Sequence, residues 1–180
     1  QSDIALGPDG RLVLGRLSLR APLLSLNGSG VRNADGTVRI IGSGTHARYG
    51  PVRLTLTGKL DRPAVDAVLA RPLNAAGLAD VHLVLTPDMA GYQYTADGQS
   101  TLGAFSSAGA IELPPGGPQS AIRVDALKVS GSVGQGRLAI VPGGLAGRLL
   151  FSGPVHGAID LWVANAVQKL TASLRIDNAH

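Results

Sequence analysis

The sequence predicts an all-β protein, and three observations carry that prediction. The 180 residues include 25 glycines and 11 prolines, one residue in five, a share normal for strands and turns but high for helices. Among the charged residues 13 are Arg and 11 are Asp, against 3 Lys and the single Glu112, so the Lys and Glu that populate helix surfaces are scarce. Alternation of apolar and polar residues with period 2 recurs from end to end, the primary signal of a half-buried strand. An apolar content of 44% separates the chain from disordered ones.

Taken in order, the alternating segments run from Leu12 to Leu19, Val38 to Ile41, Val52 to Thr57, Val81 to Leu85, Tyr92 to Ala96, Ile122 to Val129, Leu138 to Val141, Leu149 to Phe151, Ile159 to Val163 and Leu170 to Asp177. They predict about ten strands. In the third, Val52, Leu54 and Leu56 take one face while Arg53, Thr55 and Thr57 take the other. The pairs Asp9-Gly10, Asp35-Gly36 and Asp97-Gly98 tolerate the positive φ of tight hairpins, and short connections imply antiparallel neighbours. Leu60 to Asp66 reads as a turn in which Asp61 meets Arg62 and solvent, Leu73 to Leu78 as a loop or single turn, and Val163 to Leu170 as strand.

One pattern repeats: apolar, any, apolar, Ser or Thr, Gly, any, apolar. It occurs at Leu54 to Leu60, Leu127 to Val133 and Leu149 to Val155. The offsets are not uniform, so it describes an irregular stack of hairpins rather than a strict solenoid, each ending at a Gly where the chain bends or bulges. Pro114-Pro115-Gly116-Gly117-Pro118 is the strongest breaker. The same strand grammar resumes after it, so it reads as a rim loop within one domain spanning residues 1–180.

The function classes excluded are many. With no cysteine there is no disulfide, thiolate catalysis or Cys-based zinc site, and a cysteine-free chain favours the periplasm or exterior. His46, His82, His156 and His180 stand far apart, none in a paired metal-ligand spacing. Gly42-Ser43-Gly44-Thr45-His46-Ala47 and Gly134-Gln135-Gly136-Arg137-Leu138-Ala139 match a dinucleotide fingerprint, but neither opens a helix that would receive a pyrophosphate. The nucleophile elbow Gly-x-Ser-x-Gly is absent. Asp61 and Asp66, the closest carboxylate pair, read as structural charge, and Asn27-Gly28-Ser29 is a formal glycosylation sequon that is equally a turn. The net charge of +4 comes from scattered arginines without aromatic interleaving, which argues against nucleic acid. The expectation is a non-enzymatic chain with no cofactor, no catalytic residue and no metal.

Gly98 to Ile111, the longest uncharged stretch, is rich in Ser and Gly and falls short of the roughly 20 apolar residues that span a bilayer as a helix. The opening Gln1-Ser2-Asp3-Ile4 carries no targeting signal. The expectation is a fragment of a longer protein whose signal or anchor lies outside it.

Gly50-Pro51-Val52-Arg53-Leu54-Thr55-Leu56-Thr57-Gly58-Lys59-Leu60-Asp61-Arg62-Pro63 is a Gly-Pro-led alternating strand, a Gly-x-Leu and an x-x-Pro restart. It resembles the repetitive β-rich region of TamB-like and AsmA-like proteins of the Gram-negative envelope, and Ala79 to Leu85 and Gly117 to Gly131 are similar in style. The resemblance implies a long curled antiparallel or mixed sheet, a β-taco or open groove, whose apolar concave face holds phospholipid acyl chains in the periplasm. It also implies a parent chain anchored in the inner membrane, a role in lipid transfer or outer-membrane assembly as part of a translocation and assembly module, and an outer-membrane barrel partner of the TamA kind. Open end strands, where neighbours once paired, fit a fragment of such a groove. Alternation assigns the groove lining to Leu54, Leu56, Leu83, Leu85, Val124, Leu138, Ile140, Phe151, Leu161, Leu174 and Ile176, a trough with no aromatic plug. The alternatives are a closed β-sandwich or barrel serving as a structural spacer without ligand, and a surface adhesin segment.

Overall fold

In the computed structural model the described residues are 3–7, 9–47, 50–71, 77–114, 120–142, 144–164 and 167–176. They contain strands and no helix: β1 (Asp3–Leu6), β2 (Leu12–Ala21), β3 (Leu24–Arg32), β4 (Thr37–His46), β5 (Gly50–Lys59), β6 (Ala64–Leu69), β7 (Ala79–Pro87), β8 (Gly91–Ser100), β9 (Gly103–Glu112), β10 (Ala121–Val129), β11 (Ser132–Val141), β12 (Gly144–Ser152), β13 (Val155–Ala164) and β14 (Val167–Ile176). They make one open antiparallel sheet whose spatial order is the chain order. The all-β prediction holds, and the expected count of about ten strands is corrected to 14.

The four additional strands are β1, β3, β6 and β9. Apolar alternation is weak in β3 because Gly28 and Gly30 stand where large side chains would mark the face, and in β9 because Ser106, Ser107, Ala108 and Gly109 do the same. The segment read as a turn from Leu60 to Asp66 ends its reversal at Arg62, and Asp66 lies within β6. Asp97-Gly98 is likewise no turn; it continues β8, whose reversal comes at Thr101-Leu102. Asn27-Gly28-Ser29 sits inside β3. Asp9-Gly10 and Asp35-Gly36 do turn, with φ of +76° and +83° at the glycines, and the Asp35 carboxylate accepts from the Thr37 amide at 2.9 Å. The repeat glycines Gly58, Gly131 and Gly153 all adopt positive φ, of +94°, +76° and +118°, which gives the Ser/Thr-Gly repeat a backbone cause. Residues 72–76 and 115–119 lie outside the described residues, and with them most of the expected loop at Leu73 to Leu78 and of the rim loop.

The chain divides into two units, residues 1–87 with 98–101, and residues 88–97 with 102–180. In the first, register sets Leu54 opposite Gly42 and Ala67, Ala67 opposite Leu83, Leu56 opposite Ile40 and Val65, and Val65 opposite Leu85. Val38, Val52 and Val81, on the same face, are buried. In the second, Val124, Leu138, Leu149 and Phe151 form a buried cluster, with Ile122, Leu127, Val129, Ile159 and Leu161 packed against it.

A bulge serves each unit. Leu12, Leu14, Leu17 and Leu19 in β2, and Ile122, Val124, Leu127 and Val129 in β10, share the spacing two, three, two. In each the ladder shifts in the middle of the strand, between Leu14 and Leu17 and between Val124 and Leu127, so two residues oppose one and the apolar set stays on one face. The strands facing the bulges carry Gly28-Ser29-Gly30 and Gly134-Gln135-Gly136.

Close strand approach explains why some of these positions hold glycine. A Cβ at Gly44 would fall on the Ser25 carbonyl oxygen, and one at Gly109 on that of Arg123, whereas at Gly42 the nearest atom, the Asn27 oxygen, is 3.5 Å away. Gly44→Ala is therefore expected to lower the unfolding free energy by about 1–3 kcal/mol through overpacking, and Gly42→Ala by less than about 0.5 kcal/mol. Urea titration of the two variants beside the wild-type chain measures the contrast; equal stabilities would refute the close approach.

Candidate functional site

The site is the apolar sheet face, and cross-strand register builds it. In the first unit the residues named from sequence, Leu54, Leu56, Leu83 and Leu85, share that face and are all half-buried. In the second, Val124 opposes Gly136, Gly136 opposes Leu149, and Leu149 opposes Ile159; Leu138 and Leu161 both oppose Gly147; Phe151 and Leu174 both oppose Gly157. Ile140 opposes Leu145, and Ile176 opposes Val155. All seven residues assigned from sequence in this unit therefore lie on one face. Val124, Leu138 and Phe151 are buried, Ile140 and Leu161 half-buried, and Leu174 and Ile176 exposed. A single-layer sheet explains the gradient: inner strands are shielded by the side chains of both neighbours, and the last strand by those of one.

Alternation missed several members of this face. Leu26, Ile40, Leu149 and Ile159 belong to it by register, and the signal for them was their spacing to the glycines that fill the alternate positions of the same face. Phe151, named in the lining from sequence, has aromatic company. Phe105 stands opposite Val129, and Tyr94 lies against Gly109 with its hydroxyl 3.1 Å from Ser107 Oγ, so both join Phe151 on the apolar face of the second unit. Burial pushes the Tyr94 phenol above its ordinary pKa.

The opposite face is polar. Arg148 in β12 stands opposite Asp160 in β13 and donates to both carboxylate oxygens, at 2.6 and 2.8 Å. Arg123 donates to Asp125, and Arg137 reaches Glu112 at 2.6 Å. These acids offset the direct opposition of Arg137 and Arg148 in the ladder. In the first unit His82 Nε2 and Asp66 Oδ1 are 3.0 Å apart. Two hollows adjoin the bulges: one of about 760 Å³ beside Gly15, with Asn27, Ser29, Ser43, Arg53, Thr55 and Asp66, and one of about 710 Å³ beside Asp125, with Val133, Gln135, Leu150 and Ser152. Leu54 also lines the first hollow and Val124 and Phe151 the second, and the groove assignment named these three but none of the polar members.

No family model, curated protein or solved structure matches the chain.

The two dinucleotide-like stretches lie in β4 and β11, and neither opens a helix. Among the described residues no three His, Asp or Glu side chains gather as metal ligands.

The Arg148 pair yields a pH dependence. The hydrogen bonds from Arg148 hold the Asp160 carboxyl below its ordinary pKa. With the folded value depressed, the stabilisation is complete above the unfolded value of about 3.9 and is lost as pH falls through the folded value. Carbon-detected NMR titration is expected to find Asp160 below the ordinary aspartate value, and Arg148→Gln to move it back up; a titration that the substitution leaves unchanged would contradict the pairing.

Proposed function

We propose that the chain is a non-enzymatic lipid-binding segment of a periplasmic envelope protein, whose apolar sheet face holds phospholipid acyl chains. The observation that carries this reading is the apolar face itself: the described residues form one sheet and no helix, one side of each unit is chiefly Leu, Val, Ile and Gly, joined in the second by Phe105, Phe151 and Tyr94, and Leu54, Leu56, Leu83 and Leu85 on it are only half-buried. Each methylene withdrawn from water contributes about 0.8 kcal/mol, so about six of them give roughly 5 kcal/mol without any head-group pocket. An extended apolar surface of this kind marks a binding surface.

The resemblance to TamB-like and AsmA-like regions supplies the setting. On that reading the parent chain is anchored in the inner membrane, this segment stands in the periplasm, and lipid transfer or outer-membrane assembly proceeds with a TamA-like barrel as partner. A second reading has its own observation. The self-buried cluster of Val124, Leu138, Leu149 and Phe151 favours a structural β spacer for the second unit.

Native mass spectrometry with lipid extraction, on the chain produced in a bacterial periplasm and purified without detergent, decides between them. Co-purified phospholipid is expected, lost in Leu54→Asp/Leu56→Asp and retained in Thr55→Asp/Thr57→Asp, which places the same two charges on the polar face of the same strand. Folded, lipid-free wild-type protein would refute lipid binding and leave the spacer.

A further inference from the structure

The polar faces of the two units balance charge differently. In the second, Arg123, Arg137 and Arg148 each hold a carboxylate. In the first, Arg39 in β4 and Arg53 in β5 are exposed and hold none among the described residues. Asp66, diagonal to Arg53 across the β5 and β6 ladder, lies 3.0 Å from His82 Nε2 instead.

Register places a set of hydrogen-bonding side chains between these two cations. Arg39 opposes Thr57, Ile41 opposes Thr55, and Ser43 opposes Arg53. On the flank Ser29 opposes Ile41 and Asn27 opposes Ser43. The arginines are offset by four residues of strand, about 13 Å along the sheet. Ile41, midway between them, is 50% exposed, so hydroxyls and an amide surround an apolar platform. The hollow of about 760 Å³ beside Gly15 takes in Ile41 and Arg53 with Asn27, Ser29, Ser43, Thr55 and Asp66, a size within the roughly 300–1,000 Å³ of small-molecule sites.

We propose that this strip binds an acidic oligosaccharide, with ring carbons on Ile41, sugar hydroxyls on Asn27, Ser29, Ser43 and Thr55, and sugar carboxylates at Arg53 and Arg39. Hydroxyl and amide side chains both donate and accept, as sugar hydroxyls require. A guanidinium takes a carboxylate bidentately, and these two have no internal acid to displace. β3 to β6 carry no Phe, Tyr or Trp, so the bases of a nucleic acid would have nothing to stack on. The polar side chains of the strip stand on the face opposite Leu56, and binding there does not rest on the lipid reading.

The probes are trigalacturonate, its methyl ester, which keeps the hydroxyls and loses the charge, and triglutamate, which keeps the charge and loses the rings. Isothermal titration calorimetry at low salt measures binding, and amide chemical shifts map it. Trigalacturonate is expected to bind about tenfold more tightly than either of the others and to shift amides of residues 27–29, 39–43 and 53–57. Arg39→Gln and Arg53→Gln, both at exposed positions, should each weaken it about threefold and together remove its advantage over the ester. Arg175→Gln, which removes the same charge from the second unit, should leave it unchanged. No binding of trigalacturonate, equal binding of the ester or of triglutamate, an equal loss in Arg175→Gln, or shifts confined to other strands would each overturn the proposal.

Discussion

A sheet with no second layer must shield its apolar face with its own side chains, and most features of this molecule follow from that constraint. Shielding between neighbours in one layer demands that strands approach closely, since side chains that stand apart leave their flanks wet. Close approach in turn requires positions without a Cβ, which Gly44 and Gly109 supply, each under a carbonyl oxygen of the adjacent strand. The high glycine content is thus a consequence of architecture as well as of turns. Such shielding buries Val124, Leu138, Leu149 and Phe151 together in the second unit and Val38, Val52 and Val81 in the first.

The bulges in β2 and β10 serve the same end. Inserting one residue between Leu14 and Leu17, or between Val124 and Leu127, increases local twist and returns the chain to phase, so the apolar set never crosses to the polar face. A hollow adjoins each bulge, lined by residues of both faces. On the polar side, direct opposition of like charges, as between Arg137 and Arg148, persists because Glu112 and Asp160 stand within reach.

The strands with large alternating side chains were legible in the sequence. Val52 to Thr57 and Leu170 to Ile176 were fixed by pattern alone, and the face shared by Leu54, Leu56, Leu83 and Leu85 followed from it. What escaped was strand structure written in small residues. In β3 and β9 glycine and serine hold positions that tertiary packing wants empty, and their composition mimics turns. Asp97-Gly98 misled for the related reason that a turn-competent pair does not force a turn when both flanks continue a strand. Tyr94 and Phe105 were legible as residues but not as members of the apolar face, because register across β9 and β10 depends on the bulge at Asp125.

The spatial order of the strands equals their order along the chain, with each strand hydrogen-bonded to its predecessor and successor. Such a chain closes only short loops as it folds, and formation can begin at any hairpin and spread outward one strand at a time. Its thermodynamics are those of a linear array, a sum of terms for each strand and each junction between neighbours, rather than of a core in which distant segments must arrive together. A strand could then be gained or lost at either end without dismantling the remainder, which makes length the most freely variable property of a sheet built in this way.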